Sequence, residues 1–198
     1  MRVNPFLTSE EEECFRKVTI GVAGAGGLGS NVLMHLVRCG LERFVIADFD
    51  IVSPGNLNRQ FFFQDQVGRL KTEAVAENLR KINPDLSLEL HSERVTGENV
   101  GAIFGGCDIL VEAFDDADSK AMFIRETVLW GKPVVAASGL AGWGKSNEMR
   151  VRKVGRNLYL VGDLSAGVGE LPPESPRVGL AAALEANTVA ALILGVEF

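Results

Sequence analysis

The sextet Gly24-Ala25-Gly26-Gly27-Leu28-Gly29 constrains this chain more than any other feature, because of what stands on either side of it. Before it, Val18 to Ala23 is a short β-branched run with the composition of a buried strand. After it, Leu28, Val32, Leu33, Leu36 and Val37 recur at helical spacing until Gly40 closes the pattern. Phe44 to Ala47 then reads as a second strand, ending in Asp48-Phe49-Asp50. Strand, glycine turn, helix and strand in one short stretch make a βαβ unit with parallel strands. A GxGxxG turn in that position lets backbone N–H groups approach a phosphate and lets the helix pack closely on the strand. Asp48, about 20 residues further on, stands where a carboxylate can accept from a ribose hydroxyl. A tight turn with no ligand is the bland alternative, and it leaves Asp48 unexplained. The fingerprint specifies a nucleotide, not which one.

The rest of the chain continues the alternation. A polar and aromatic segment, Ser53 to Gln66, is too long for an ordinary connection, and such segments are functional or carry short helices. Leu70, Val75, Leu79 and Ile82 mark a helix that Pro84 stops, and Leu86 to Leu90 alternates as a strand. A modest helix over Thr96 to Phe104, a buried strand over Asp108 to Ala113, a helix over Asp118 to Trp130 and a strand over Pro133 to Ala137 follow. Met149 to Val154 alternates apolar with basic residues and pairs with Asn157 to Val161 as a hairpin-like addition. A Gly/Pro-rich loop, Gly162 to Pro176, leads to a last helix. The expected fold is α/β: a doubly wound, mainly parallel sheet with a C-terminal antiparallel hairpin and a final helix. It is expected as one domain, with residues 1–16 an extension, 17–139 a nucleotide-binding core and 140–198 the remaining portion.

Composition narrows the function classes. At 198 residues the chain can bury a sizeable core, and its net charge of −6 argues against a surface built for nucleic-acid phosphates or anionic membrane. Cys14, Cys39 and Cys107 are odd in number and form no CxxC pair, so neither a disulfide framework nor a zinc cluster is expected, and a reducing cytoplasm suits them. The N-terminus carries four consecutive glutamates and no apolar run, unlike a signal peptide. Gly179 to Val196 is the most apolar stretch, but Glu185, Asn187 and Thr188 interrupt it, as in a buried or interface helix. Glu10 to Glu13 reads as a solvated helix start.

Arg59 and Lys71 follow the nucleotide turn, and both are expected near the carboxyl ends of the strands, where open α/β folds bind ligands. A triphosphate carries more negative charge than a dinucleotide linkage, so two cations with an amide at Asn56 suit it. Asp115 ends another strand on the same edge and can hold Mg²⁺ together with phosphates. Each has a plainer reading: a surface charge at Arg59, a helix-surface residue at Lys71, and a helix cap at Asp115 or Asp116.

Taken together, Gly26-Gly27-Leu28-Gly29, Asp48-Phe49-Asp50, Asn56-Leu57-Asn58-Arg59-Gln60, Gly68-Arg69-Leu70-Lys71 and Ile82-Asn83-Pro84 stand in the order seen in the ThiF/MoeB/HesA family, which is related to the ubiquitin-activating enzymes. The chain resembles that family from about Val18 to Gly139. Beyond it, Gly162-Asp163, Pro176-Arg177-Val178 and Ala186-Asn187 resemble its short members. The resemblance implies a Rossmann-like fold and ATP-dependent adenylation of the C-terminal glycine carboxylate of a ubiquitin-like sulfur carrier ending in Gly-Gly, ThiS-like, in thiamine thiazole biosynthesis. It implies that Gly24, Gly26, Gly27 and Gly29 form the nucleotide turn, with Gly27 against the nucleotide. It places Asp48, with Asp50 beside it, at the ribose, and Asn56, Arg59 and Lys71 at the phosphates. Asp115 would bind the magnesium that accompanies ATP; Arg59, Lys71 and Asp115 would be the catalytic set. It also implies a homodimer, residues 140–198 as the carrier-binding and dimer portion, and a separate sulfur donor protein.

Departures from the family pattern limit that expectation. The usual N-terminal segment whose arginine reaches a neighbouring subunit is absent, with Arg2 and Arg16 as possible substitutes. The paired CxxC zinc ligands are missing, so no zinc is expected, and no cysteine follows Cys107 for covalent sulfur chemistry. Asp116 stands where longer members often have asparagine. Cys39 and Cys107 read as core, Cys14 as a poor nucleophile among glutamates. His35 and His91 lack metal-like spacing and read as structural. Phe61-Phe62-Phe63 must fill core or form a contact. Competing readings are adenylation of another carboxylate or base (a molybdopterin carrier, a peptide, a tRNA), an NAD(P)-dependent oxidoreductase, or a non-catalytic nucleotide-binding scaffold.

Overall fold

The computed structural model describes residues 3–165 and 171–197. The chain begins with α1 (Ser9–Lys17), whose N-terminus Thr8 and Glu11 close as a capping box, with the acidic first turn complementing the helix dipole. There follow β1 (Thr19–Ala23), α2 (Gly27–Cys39), β2 (Arg43–Ala47), α3 (Lys71–Ile82), β3 (Ser87–His91), α4 (Val100–Phe104), β4 (Ile109–Glu112), α5 (Ala117–Thr127), β5 (Val134–Ala137), β6 (Arg150–Val154), β7 (Leu158–Gly162) and α6 (Ser175–Leu194).

All seven strands form one sheet in the order β3-β2-β1-β4-β5-β7-β6. Every neighbouring pair is parallel except β6 with β7, so the predicted hairpin adds to the main sheet through β7, which pairs with β5. The strand order turns back between β1 and β4, where the chain leaves β3 and returns to the centre. That reversal opens a crevice outside the carboxyl ends of the strands, the place where such sheets hold ligands.

Strand alternation divides the core into two layers. Phe44, Ile46, Ile109 and Val111 face α2, α3 and α6, joining Val32, Leu33, Leu36, Val75, Leu79, Val178 and Val189. Val45, Leu110, Val134 and Ala136 face α4 and α5, joining Ile103, Phe104 and Phe123. Phe104 and Phe123 meet edge to face with ring centroids 5.6 Å apart. α6 is long and apolar enough to cross a membrane by length and composition, yet half of that stretch is buried in this fold, mostly against α2. Its end is set by Gly195 in the left-handed region.

Two expected helices differ in extent. The one predicted from Thr96 starts only at Val100, because the Asn99 side chain accepts the Thr96 N–H at 2.7 Å and a local turn replaces the first helical turn. The one predicted from Asp118 starts at Ala117, with Asp116 as its cap, and passes into a 3-10 turn over Val128–Trp130. The segment from Ser53 to Gln66 contains two 3-10 turns, Pro54–Asn56 and Gln64–Gln66.

Candidate functional site

A cleft of about 910 Å³ lies at the carboxyl ends of β1, β2, β4 and β5. Its floor is the glycine turn. Gly24 has φ +100°, and a Cβ there would stand 2.7 Å from the Ala113 carbonyl oxygen. A Cβ on Gly29 would stand 1.8 Å from the Gly24 oxygen, so Gly29 closes the turn from behind and does not line the cleft. Gly24, Gly26 and Gly27 do line it.

Asp48 holds that turn in place. Its Oδ2 accepts the Ala25 N–H at 2.7 Å and its Oδ1 accepts the Asp50 N–H at 2.8 Å, tying the turn to the end of β2. Burial pushes its carboxyl up, while the Lys71 charge and the two N–H donors pull it down. Each oxygen retains a lone pair for a further donor.

Lys71 opens α3 with a buried stem, and its Nζ lies 2.7 Å from Asp50 Oδ2. Arg59 lines the cleft beside Gly27, its Cγ 3.5 Å from where a Gly27 Cβ would be, and its Nη1 donates to Gly55 O at 3.1 Å and Asn58 Oδ1 at 2.8 Å. The place of Arg59 depends on how the Ser53 to Gln66 segment is fastened. Asn31 on α2 donates to Arg59 O at 2.9 Å, and Ser30 Oγ accepts the Phe61 N–H at 3.0 Å. On α3, Asn78 donates to Phe61 O at 2.8 Å and exchanges two hydrogen bonds with the buried Gln66. Phe62 fills core, whereas Phe63 stays half-exposed, its ring edge to face with Phe61 at 5.9 Å between centroids. Asn56 turns its Oδ1 back onto the Ser53 N–H at 2.9 Å and shapes the 3-10 turn; it does not line the cleft.

On the other side, Asp115 lines the cleft with no hydrogen bond or ion pair of its own among the described residues, while Asp116 is engaged as the cap of α5. Beneath them, fully buried Glu112 takes both oxygens to Lys120 Nζ at 3.1 Å and accepts the Phe114 N–H at 2.7 Å. Burial raises the Glu112 carboxyl, and the Lys120 charge opposes it. Lys120 also donates to Ala137 O, so the pair joins β4, β5 and α5 where the cleft passes between them. At the mouth, the Arg94 guanidinium lies 4.0 Å from the centroid of Phe49.

The structure therefore brings Gly24, Gly26, Gly27, Asp48, Asp50, Arg59, Lys71 and Asp115 to one cleft. Sequence reasoning missed Gln60, Arg94, Lys120 and Glu112. Glu112 had a signal, as an acid inside an otherwise apolar strand; Arg94 had none. Gln60 is buried, lines the cleft and leaves its Oε1 without a partner among the described residues. No cysteine or histidine lines the cleft among the described residues. Arg16 is on exposed α1, paired with Glu12, and Arg2 lies outside the described residues. Chemically, the cleft offers a turn rich in backbone donors and two cations for a polyanion, with a free carboxylate that suits a hard cation accompanying it.

The ThiF family profile matches residues 2–158. The chain is 32% identical over 188 residues to "Adenylyltransferase and sulfurtransferase UBA4" of Candida glabrata, covering 91% of this chain and 43% of that protein. It is 33% identical over 132 residues to "Sulfur carrier protein adenylyltransferase" of Thermus thermophilus, covering 66% of this chain and 49% of that protein. The chain thus spans about half or less of the length of these relatives. Among solved structures, E. coli tRNA N6-threonylcarbamoyladenosine dehydratase in complex with ATP superposes with a TM-score of 0.85 at 22% identity, over 94% of this chain and 90% of that one. At that identity the likeness is one of fold.

Proposed function

This chain belongs to the ThiF family, and on that premise we propose that it is an ATP-dependent adenylyltransferase acting on the C-terminal glycine carboxylate of a ubiquitin-like sulfur carrier. The observation that carries the reading is the cleft itself, which lines the glycine turn with Arg59 and Lys71 and adds the Asp115 carboxylate, unpartnered among the described residues. Two relatives are named as adenylyltransferases, one of them of a sulfur carrier protein.

In this reading the triphosphate rests on the turn. Asp48, already fixed by two backbone donors, accepts from the ribose. Lys71, held by Asp50, and Arg59, held by its own 3-10 turn, neutralise the phosphates, and Gln60 Oε1 is an acceptor for a ligand donor. Asp115 is the residue that would hold Mg²⁺; as the one cleft carboxylate without a partner among the described residues, it fits a cation shared with phosphates. Magnesium supplies charge neutralisation on those phosphates when bound. One oxygen of the carrier carboxylate bonds to the α-phosphorus, the α–β bridging bond breaks, and its electron pair leaves on pyrophosphate. The carboxylate is ionised at pH 7, so no strong general base is required. Positioning and charge stabilisation are what the residues must provide.

The finer reading is a ThiS-like carrier and thiamine thiazole synthesis, in a cytoplasmic homodimer whose residues 140–198 contact the carrier and the second subunit. Sulfur would come from a separate donor protein. The three described thiols support that division of labour: none lines the cleft, and burial pushes the Cys107 thiol up to about 12. A tRNA substrate competes because the structural neighbour is a tRNA dehydratase, but a net charge of −6 suits a polyanion poorly.

ATP–pyrophosphate exchange with Mg²⁺ tests the proposal, run with and without a ubiquitin-like protein ending in Gly-Gly. Carrier-dependent exchange and a carrier mass increased by one adenylate are expected. Tight ATP binding without exchange would point to another carboxylate or a scaffold, and preference for NAD would overturn the reading.

A further inference from the structure

Arg177, in the first turn of α6, is a charged residue beside the cleft that the nucleotide does not need. Its side chain is 3% exposed, and its donors are committed to protein acceptors. Nη2 binds Asp163 Oδ2 at 2.5 Å and Gly139 O at 3.4 Å, Nη1 binds Gly144 O at 2.6 Å, and Nε binds Leu140 O at 3.5 Å. Asp163 is held in turn by the Ser165 N–H and hydroxyl on its other oxygen. The same two loops are laced by backbone bonds: Asp163 N–H to Gly139 O, Leu164 N–H to Ser138 O, and Gly142 N–H to Pro172 O. Ser138, Gly139, Leu140 and Pro173 are the cleft wall that this junction builds.

We infer that Arg177 is a positioning residue for the carboxylate co-substrate, acting by drawing the carbonyl oxygens of Gly139 and Leu140 into the protein and away from that wall, with Gly144 O as a further anchor of its guanidinium. The inference rests on the adenylation reading, which assigns the turn, Arg59, Lys71 and Asp48 to the nucleotide and leaves this wall for the acyl group. An incoming carboxylate is anionic. Carbonyl oxygens turned toward it would repel it, whereas a buried guanidinium is a planar fork that can take several of them at once. A lysine keeps the charge and loses the fork. Because the guanidinium is spent on these acceptors, its loss should leave ATP binding alone and weaken use of the carrier.

The test compares wild type, Arg177→Lys and Asp163→Asn in carrier-dependent pyrophosphate exchange, using a ubiquitin-like protein ending in Gly-Gly, with ATP affinity measured separately. Losing charge-assisted bonds should raise the carrier KM of Arg177→Lys about tenfold or more, with ATP affinity within about twofold of wild type. Amide exchange at Gly142, Asp163 and Leu164 should quicken while Ser30 and Asp48 stay protected. Asp163→Asn should shift the same quantities in the same direction to a smaller extent, and it stands in if Arg177→Lys fails to fold. Wild type with no exchange overturns the adenylation reading and the Arg177 role with it. An active wild type with an unchanged carrier KM in the variants, or an equal loss of ATP affinity, overturns the Arg177 role alone.

Discussion

Arg59 and Lys71 illustrate how little a residue's type says until its anchors are known. Each has the composition of a surface cation, yet Lys71 has a buried stem and Arg59 is held beside the glycine turn by the Gly55 carbonyl and the Asn58 side chain. In the proposed adenylation, replacing either by alanine removes a preorganised charge from the wall assigned to the phosphates. Exchange activity is expected to fall by about 10²-fold or more with the thermal transition little changed. Asp115→Ala should act likewise and raise the Mg²⁺ concentration needed for ATP binding; an unchanged magnesium dependence would sink its assigned role. Gly29 belongs to a different class. Its Cβ would collide with the Gly24 carbonyl, so Gly29→Ala should destabilise by about 2 kcal/mol or more, measured by chemical denaturation.

At the scale of elements, the segment between β2 and α3 shows how a long loop becomes rigid. Two 3-10 turns shorten it, and side chains of α2 and α3 take up its backbone groups. Asn78 is the center of that fastening. Asn78→Ala removes the side-chain donor to the Phe61 carbonyl and two of the bonds of the Gln66 amide, which keeps Ala74 O and the Phe63 N–H; the loss costs roughly 1–3 kcal/mol. Because Arg59 rides on the same segment, ATP affinity should fall with stability, and calorimetry on the variant would reveal one without the other if the segment is held elsewhere. By contrast, Thr8→Ala removes only the cap of α1 and should cost about 1 kcal/mol with exchange untouched.

For the whole molecule, two carboxyls set opposite pH dependences. Burial pushes the Asp163 carboxyl up, but Ser165 and the Arg177 guanidinium outweigh it and hold it at about 2. Its stabilisation is present above the unfolded carboxylate value of about 3.9 and is lost as pH falls toward about 2. Glu185 on α6 is fully buried, neither oxygen has a hydrogen-bond partner among the described residues, and burial raises it well above the ordinary value, with Lys120 opposing and Glu112 adding. A raised carboxyl stabilises below its unfolded value of about 4.3 and loses that contribution as pH climbs toward the folded one. Glu185→Gln should therefore flatten the decline in stability above about pH 5 and raise the transition temperature at pH 7. An identical slope in the variant would mean the group titrates normally.

Local chemistry was legible in the sequence wherever a residue's role depends on its neighbours in the chain. The turn from Gly24 to Gly29, the helix stopped by Gly40, the alternation of strands and the hairpin of β6 and β7 follow from backbone sterics and hydrophobic period, which act over a few residues. The convergence of Asp48, Arg59, Lys71 and Asp115 on one cleft was legible too, because they end or adjoin elements at the sheet's carboxyl edge, and a doubly wound sheet gathers those ends in one place. Tertiary structure alone decided the rest. Asn56 turned inward to its own loop and Gly29 went behind the turn, since each satisfied a nearer backbone demand first. Arg94 met Phe49, Lys120 met Glu112, and Arg177 met Asp163 and three carbonyls, through contacts that join separate elements and that no spacing encodes. A buried charge must find its partners wherever packing delivers them, and packing is a property of the folded chain as a whole.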